Sequence, residues 1–207
     1  MALRRLGMFP LSTVLFPHAE IPLHVFEPRY RALTKDALAA DSRFGIVLIE
    51  RGSEVGGGDQ RMAVGTSALI TRSVELSDGR WLLMVRGDRR LQVMEWLAED
   101  PYPLALVEVW PPTAGAAVPA LVHRAEQCVR RTRGLLSESG RSPALSADVS
   151  FSDDPDTAAW QLCAEAPLNA IDAQRLLIAS ECEERLELLI GFTEAVAHDL
   201  HRLMAGD

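Results

Sequence analysis

The stretch PPTAGAAVP, residues 111–119, separates two halves of the chain with different periodicities. Before it lie short β-branched and aromatic runs: Met8–Leu15, Pro22–Val25, Phe44–Glu50, Val64–Leu76, Trp81–Arg86, Arg89–Leu97 and Leu104–Trp110. Runs of this kind, bounded by turn residues, predict strands. After it, apolar residues recur at helical spacing. The chain is expected to be α+β, with a β-rich subdomain over 1–112 and a helical bundle over 113–207.

The strands are expected to follow one another through tight turns, which predicts an antiparallel, barrel-like sheet. Asp78-Gly79 marks a hairpin, since both residues tolerate positive φ, and Gly87-Asp88 is expected to mark the next reversal. One helix interrupts the sheet. Glu27 precedes Pro28 and is pushed out of helical geometry, whereas Pro28 suits a first helical turn. Tyr30, Leu33, Thr34, Ala37 and Leu38 then form its buried face. In the second half, helices are expected over about 119–136 and 156–165, with residues 137–155 as a connection between them. Asn169 is expected to cap a third helix, with Asp172 near its positive end. Ser180 and Glu183 have capping-box spacing for a last helix, with Leu186, Leu189, Ile190, Val196, Leu200 and Leu203 as its stripe.

Composition excludes several function classes. A net charge of −8 repels nucleic acid and anionic membranes. Pro10 and Pro17 break the apolar run behind Arg4 and Arg5, and no A-x-A-like cleavage site follows. No run approaches the roughly 18 uninterrupted apolar residues of a membrane span. Cys128, Cys163 and Cys182 are odd in number and never paired as C-x-x-C, so reduced thiols in a cytoplasmic protein are expected. His18, His24 and Glu27 give H-x5-H-x2-E, which is not a helical zinc pattern, and His198 with His201 lacks a third ligand. The glycine-rich RGSEVGGGDQR has no Gly-Lys-Ser/Thr after it, and reads as a loop between strands. GTSAL lacks the second glycine of a nucleophile turn, and Lys35, the single lysine, sits on the polar side of its helix. No catalytic residue, metal or cofactor is expected. Arg86, Arg89 or Arg90 of VRGDRR is instead expected to compensate Glu27, which lies among apolar residues.

The motifs, taken in order, resemble the Lon protease N-terminal (substrate-binding) domain family. MFPLSTVLFPHAEIPLHVFEPRYRAL carries the family's Phe-Pro-Leu strand, Phe-Pro turn and Pro-Leu-His-hydrophobic-Phe-Glu-Pro-Arg-Tyr segment. RFGIVLIERGSEVGGG, VGTSALITRSVELSDGRWLLMVRGDRRLQV, PYPLALVEV and PLNAIDAQRLLIASECEERLELL follow in family order. The resemblance implies a PUA-like β pseudobarrel followed by a helical bundle. It also implies a non-catalytic module that binds unfolded or flexible protein segments, with proteolytic machinery as a further partner. The sequence ends at Asp207 with neither ATPase nor peptidase segment, so the standalone bacterial form is expected. RNA binding is the alternative class, by analogy of fold, and hydrolase a third; neither oligomeric state nor client identity follows from the sequence. Phe26, Tyr30 and Trp110 are the candidate peptide-contact residues, since they lie at element ends near expected turns or the 111–119 junction, where a cleft is expected.

Overall fold

The computed structural model describes residues 3–51, 60–110, 118–140, 145 and 149–205. The chain forms two compact units, Met1–Pro112 and Thr113–Asp207. The glycine-rich segment 52–59 and residues 111–117 of the junction lie outside the described residues.

The first unit contains β1 (Arg4–Leu11), β2 (Glu20–Val25), α1 (Pro28–Ala39), β3 (Arg43–Arg51), β4 (Gln60–Glu75), β5 (Trp81–Leu97) and β6 (Leu104–Val109). The strand order is β2-β5-β4-β3-β1-β6, and β6 pairs back onto β5. Five strands therefore close a ring, and β2 hangs on the first half of β5 as a sixth. The sheet is mixed rather than antiparallel throughout, because β1 and β3 run parallel. Between them the chain makes β2 and α1, a crossover long enough to return it in the same direction. Successive residues of β1 face opposite sides, so Phe9 and Leu11 enter one apolar cluster while Leu6 and Met8 enter another.

The reversal expected at Gly87-Asp88 does not occur; β5 runs through both residues. Ser67 pairs with Arg89 and Ala68 with Gly87, leaving Asp88 as the extra residue of a bulge. Gly87 serves close approach instead of turning. Its N–H donates to the Ala19 carbonyl at 2.9 Å, and its carbonyl accepts from the His18 N–H at 2.9 Å. A Cβ at this position would overlap the Phe16 carbonyl. The Asp78-Gly79 turn forms, with Gly79 at φ 79° and the Asp78 carboxylate accepting from the Arg80 N–H at 3.1 Å.

Pro28 opens α1 behind an extended Glu27, and Tyr30, Leu33, Thr34 and Ala37 are buried along one face, with Leu38 partly buried against the same cluster. The second unit holds α2 (Pro119–Glu138), α3 (Pro155–Glu165), α4 (Ala170–Ile178) and α5 (Cys182–Ala205). Asn169 caps α4 by accepting from the Asp172 N–H at 2.9 Å. The Ser180–Glu183 capping box is not made. The first turn of α5 closes from the Arg185 N–H to the Glu181 carbonyl, one residue beyond Ser180, whose hydroxyl donates to Glu184 at 3.5 Å instead. Leu186, Leu189, Ile190 and Leu200 form the buried stripe of α5, whereas Val196 is half-buried and Leu203 is exposed in the last turns. No helix among the described residues is long and apolar enough to cross a membrane.

A candidate peptide-binding groove along the edge of β2

β2 ends the strand order, with β5 as its strand neighbour. Its burial alternates: Glu20, Pro22 and His24 are exposed, Ile21 and Leu23 are half-buried, and Val25 is buried. Proline, which has no N–H to give a ladder, is confined in sheets to edges and bulges, so Pro22 fits this place.

A cavity of about 300 Å³ lies beside this strand. Every residue from Ile21 to Glu27 lines it. Neighbouring residues of a strand point to opposite faces. A space that touches all of them in succession must therefore run along the strand's edge. The facing wall is Phe9, Leu11 and Thr13, alternate residues at and beyond the end of β1, and Tyr30 lines the space from α1. The walls are thus mostly apolar, with Thr13, His24 and Glu27 as polar side chains among them. The volume is at the small end of ligand pockets, which suits a few side chains of a polypeptide better than a folded domain.

Phe26 and Tyr30 meet at this groove, in different ways. Phe26 is 50% exposed and touches the His24 ring edge-on, with centroids 6.1 Å apart. Tyr30 is 2% exposed, stacked on Phe9 at 4.2 Å and covered by the Arg29 guanidinium at 4.5 Å. Tyr30 is therefore a fixed wall and Phe26 an accessible contact. Trp110 does not line the groove. It follows β6, where its N–H donates to the Arg90 carbonyl at 3.0 Å and the Arg90 guanidinium lies 4.7 Å over its ring.

The ion pair expected between Glu27 and VRGDRR is replaced by a local one. Glu27 accepts from Arg29 Nε at 3.1 Å, both side chains being mostly buried. Two residues at the start of one helix reach each other without help from the sheet. Arg86 lies opposite Glu20 across the β2–β5 ladder, Arg89 is exposed and Arg90 is taken up by Trp110.

His18 has φ 63° at the bulge against Gly87, and the Nε2 of His24 lies 3.4 Å from an Arg80 nitrogen. Among the described residues no three His, Cys, Asp or Glu side chains gather in a metal-holding group. The thiols are poor nucleophiles at neutral pH. Burial pushes Cys163 up to about 12, and it also raises Cys182 and Cys128, the latter with help from the Glu194 charge. The groove walls Phe9, Leu11, Ile21 and Leu23 were not picked out as site residues by sequence reasoning. The signal that marks them is Pro22 inside an otherwise alternating strand.

The model for the ATP-dependent protease La (Lon) substrate-binding domain matches residues 5–194. With Lon protease 2 of Herpetosiphon aurantiacus the chain is 31% identical over 193 residues, covering 89% of this chain and 23% of that protein. With the Lon protease of Anaeromyxobacter dehalogenans it is 27% identical over 191 residues, covering 89% of this chain and 22% of that protein. The chain thus spans less than a quarter of the length of these relatives. The crystal structure of a Lon N-terminal domain protein from Xanthomonas campestris superposes with a TM-score of 0.67 at 28% identity, covering 91% of this chain and 98% of that one. The N-terminal domain of the Mycobacterium avium complex Lon protease shares the fold, with a TM-score of 0.60 at 20% identity over 92% of this chain and 98% of that one. The closed ring with its pendant edge strand, the helices that follow it and the match over residues 5–194 lead to one conclusion: the chain belongs to the Lon substrate-binding domain family.

Proposed function

We propose that this protein binds exposed or unfolded protein segments without altering them chemically, and presents them to proteolytic machinery. The observation that carries this reading is the apolar groove beside β2, open enough to leave Phe26 half exposed. Family membership supports a substrate-binding role. A flexible client must be ordered as it binds, which offsets much of the contact energy, so affinity for a short segment is expected to be micromolar or weaker.

The test is a titration of a fluorescently labelled, permanently unfolded polypeptide against the wild-type protein and a Phe26→Ser variant of verified fold. Saturable wild-type binding that weakens about tenfold in the variant is expected, from the loss of one accessible aromatic contact. Equal binding by both proteins would remove Phe26 from the site. A salt-sensitive response to single-stranded RNA, with none to polypeptide, would replace this reading by nucleic-acid binding.

A further inference from the structure

We infer that the client is held as an added strand on the outer edge of β2, and that apolar segments flanked by basic residues are favoured. This rests on the groove being the client site. The direction of the β2 backbone follows from its entry into the sheet. The Ala19 carbonyl accepts from the Gly87 N–H, so the backbone of residue 19 faces β5. From Glu20 to Val25 the register with β5 is unbroken, one residue for one. Backbone polar groups alternate in direction along an antiparallel strand. Residues 21, 23 and 25 therefore face β5, while 20, 22 and 24 face away from it.

Two further observations agree with this parity. On β5 it requires Met84 to face β4, and the Met84 carbonyl accepts from the Thr71 hydroxyl of β4 at 3.1 Å. On β2 it places Pro22 among the outward residues, where its missing N–H removes no bond to β5. The outward edge thus offers the N–H and carbonyl of Glu20 and His24, and the carbonyl of Pro22. An extended polypeptide satisfies such an edge through its own backbone, whatever its sequence, while every second side chain enters the groove. That combination suits a binder of many unfolded segments: backbone pairing is indifferent to sequence, and the apolar wall of Phe9 and Leu11 asks only for hydrophobic residues.

Charge adds a selection at the two ends. Glu20 opens β2 and Glu27 follows it, so a carboxylate stands at each end of the exposed edge, in a chain of net charge −8. Arg29 occupies one oxygen of Glu27 from the side of the helix. A client carrying lysine or arginine beyond its apolar stretch gains from this field, and one carrying glutamate loses.

The experiment uses the full chain and a short synthetic peptide of alternating leucine and threonine, flanked by lysines, with binding followed by fluorescence anisotropy. Two further peptides carry N-methyl groups on alternate amides, one set for each edge of the extended peptide. One set is expected to weaken binding at least about tenfold, by removing donors to β2, while the other stays within about twofold. The variant His24→Pro, which deletes an outward N–H and spares the bonds to β5, is expected to weaken binding about three- to tenfold. The glutamate-flanked peptide is expected to bind several-fold less tightly at low salt, with the difference shrinking as salt is added. Equal effects of the two methylated sets, or none, would overturn edge pairing while leaving client binding intact. Indifference to the flanking charges would overturn the basic preference. No binding by any peptide, with the labelled unfolded polypeptide also failing to bind, would instead remove the client-binding reading itself. The methylated pair needs no variant, so the inference stays testable if His24→Pro does not fold.

Discussion

The two units meet the same difficulty, backbone groups left without partners, in opposite ways. The barrel closes a ladder of five strands and leaves β2 with an outer edge. The helical unit closes inward, with a buried arginine at the end of a helix. Arg185 on α5 is 1% exposed and donates to the carbonyls of Leu176 and Ala179, at 3.2 and 3.1 Å, where α4 ends. Its guanidinium also lies 3.5 Å over the Trp160 ring of α3. Burial pulls its pKa down from the usual arginine value, yet a guanidinium keeps its proton in any ordinary solution. One side chain thus ties three helices together and satisfies two of the carbonyls that a helix end leaves over. An open edge invites a partner; a buried arginine fixes a frame. The difference separates the part of this molecule suited to binding from the part suited to holding shape.

Loss of the buried arginine breaks the frame. Arg185→Ala leaves the Leu176 and Ala179 carbonyls without these donors and empties the space against Trp160. A loss of about 3 to 5 kcal/mol is expected, from two buried carbonyls left without these donors and from the cavity beside Trp160. Urea unfolding followed by helical circular dichroism measures it, and an unchanged midpoint would show that the network contributes nothing. Next comes the barrel. Gly87→Ala sets a methyl against the Phe16 carbonyl, and about 1 to 3 kcal/mol is expected from overpacking. A neutral result there would mean that the loop before β2 yields easily.

Glu27→Gln acts on a smaller scale. Its pair with Arg29 is local and mostly buried, so a loss of about 1 kcal/mol is expected in thermal unfolding, far below that of Arg185→Ala. The smallest effect is one of pH. Burial first, and the hydrogen bond to Asp36 second, push the Tyr102 hydroxyl up to about 12 from 10.0. The folded state favours the neutral phenol, so this contribution is whole below the unfolded value and is lost as pH rises between about 10 and about 12. Tyr102→Phe should flatten the stability profile in that window and lower it by a constant amount near neutrality, where the contribution is whole.

Much of the fold was legible because local signals and tertiary partners agree. Pro28 starts α1, Asn169 caps α4, and alternation marks the strands. The failures share a cause. Gly87 is a turn signal and also a close-approach signal, and only the Phe16–Ala19 segment decides between them. The parallel β1–β3 pairing depends on where the crossover returns the chain, which no short window contains. Cys182, Arg185, Leu186 and Leu189 follow helical spacing, so Arg185 stood on the buried stripe of α5, but a charged residue reads as exposed until Trp160 is placed above it. At the groove, Phe26 and Tyr30 are legible from their positions at element ends. Phe9, Leu11, Ile21 and Leu23 are not, because a core face and a groove wall have the same pattern until the last strand of the sheet is known. Trp110 is a candidate contact for its place beside the 111–119 junction, and its stacking with Arg90 is invisible in the sequence.

Amide hydrogen exchange along β2, with and without saturating client peptide, reads the pairing of this edge residue by residue. In the free protein the Ile21, Leu23 and Val25 N–H groups should be protected by β5, and the Glu20 and His24 N–H groups should exchange fast. With peptide bound, His24 and Glu20 should become protected by about tenfold or more, while Trp110 stays unchanged. Saturation with peptide that leaves Glu20 and His24 exchanging as fast as before would contradict a binding site on the edge of β2.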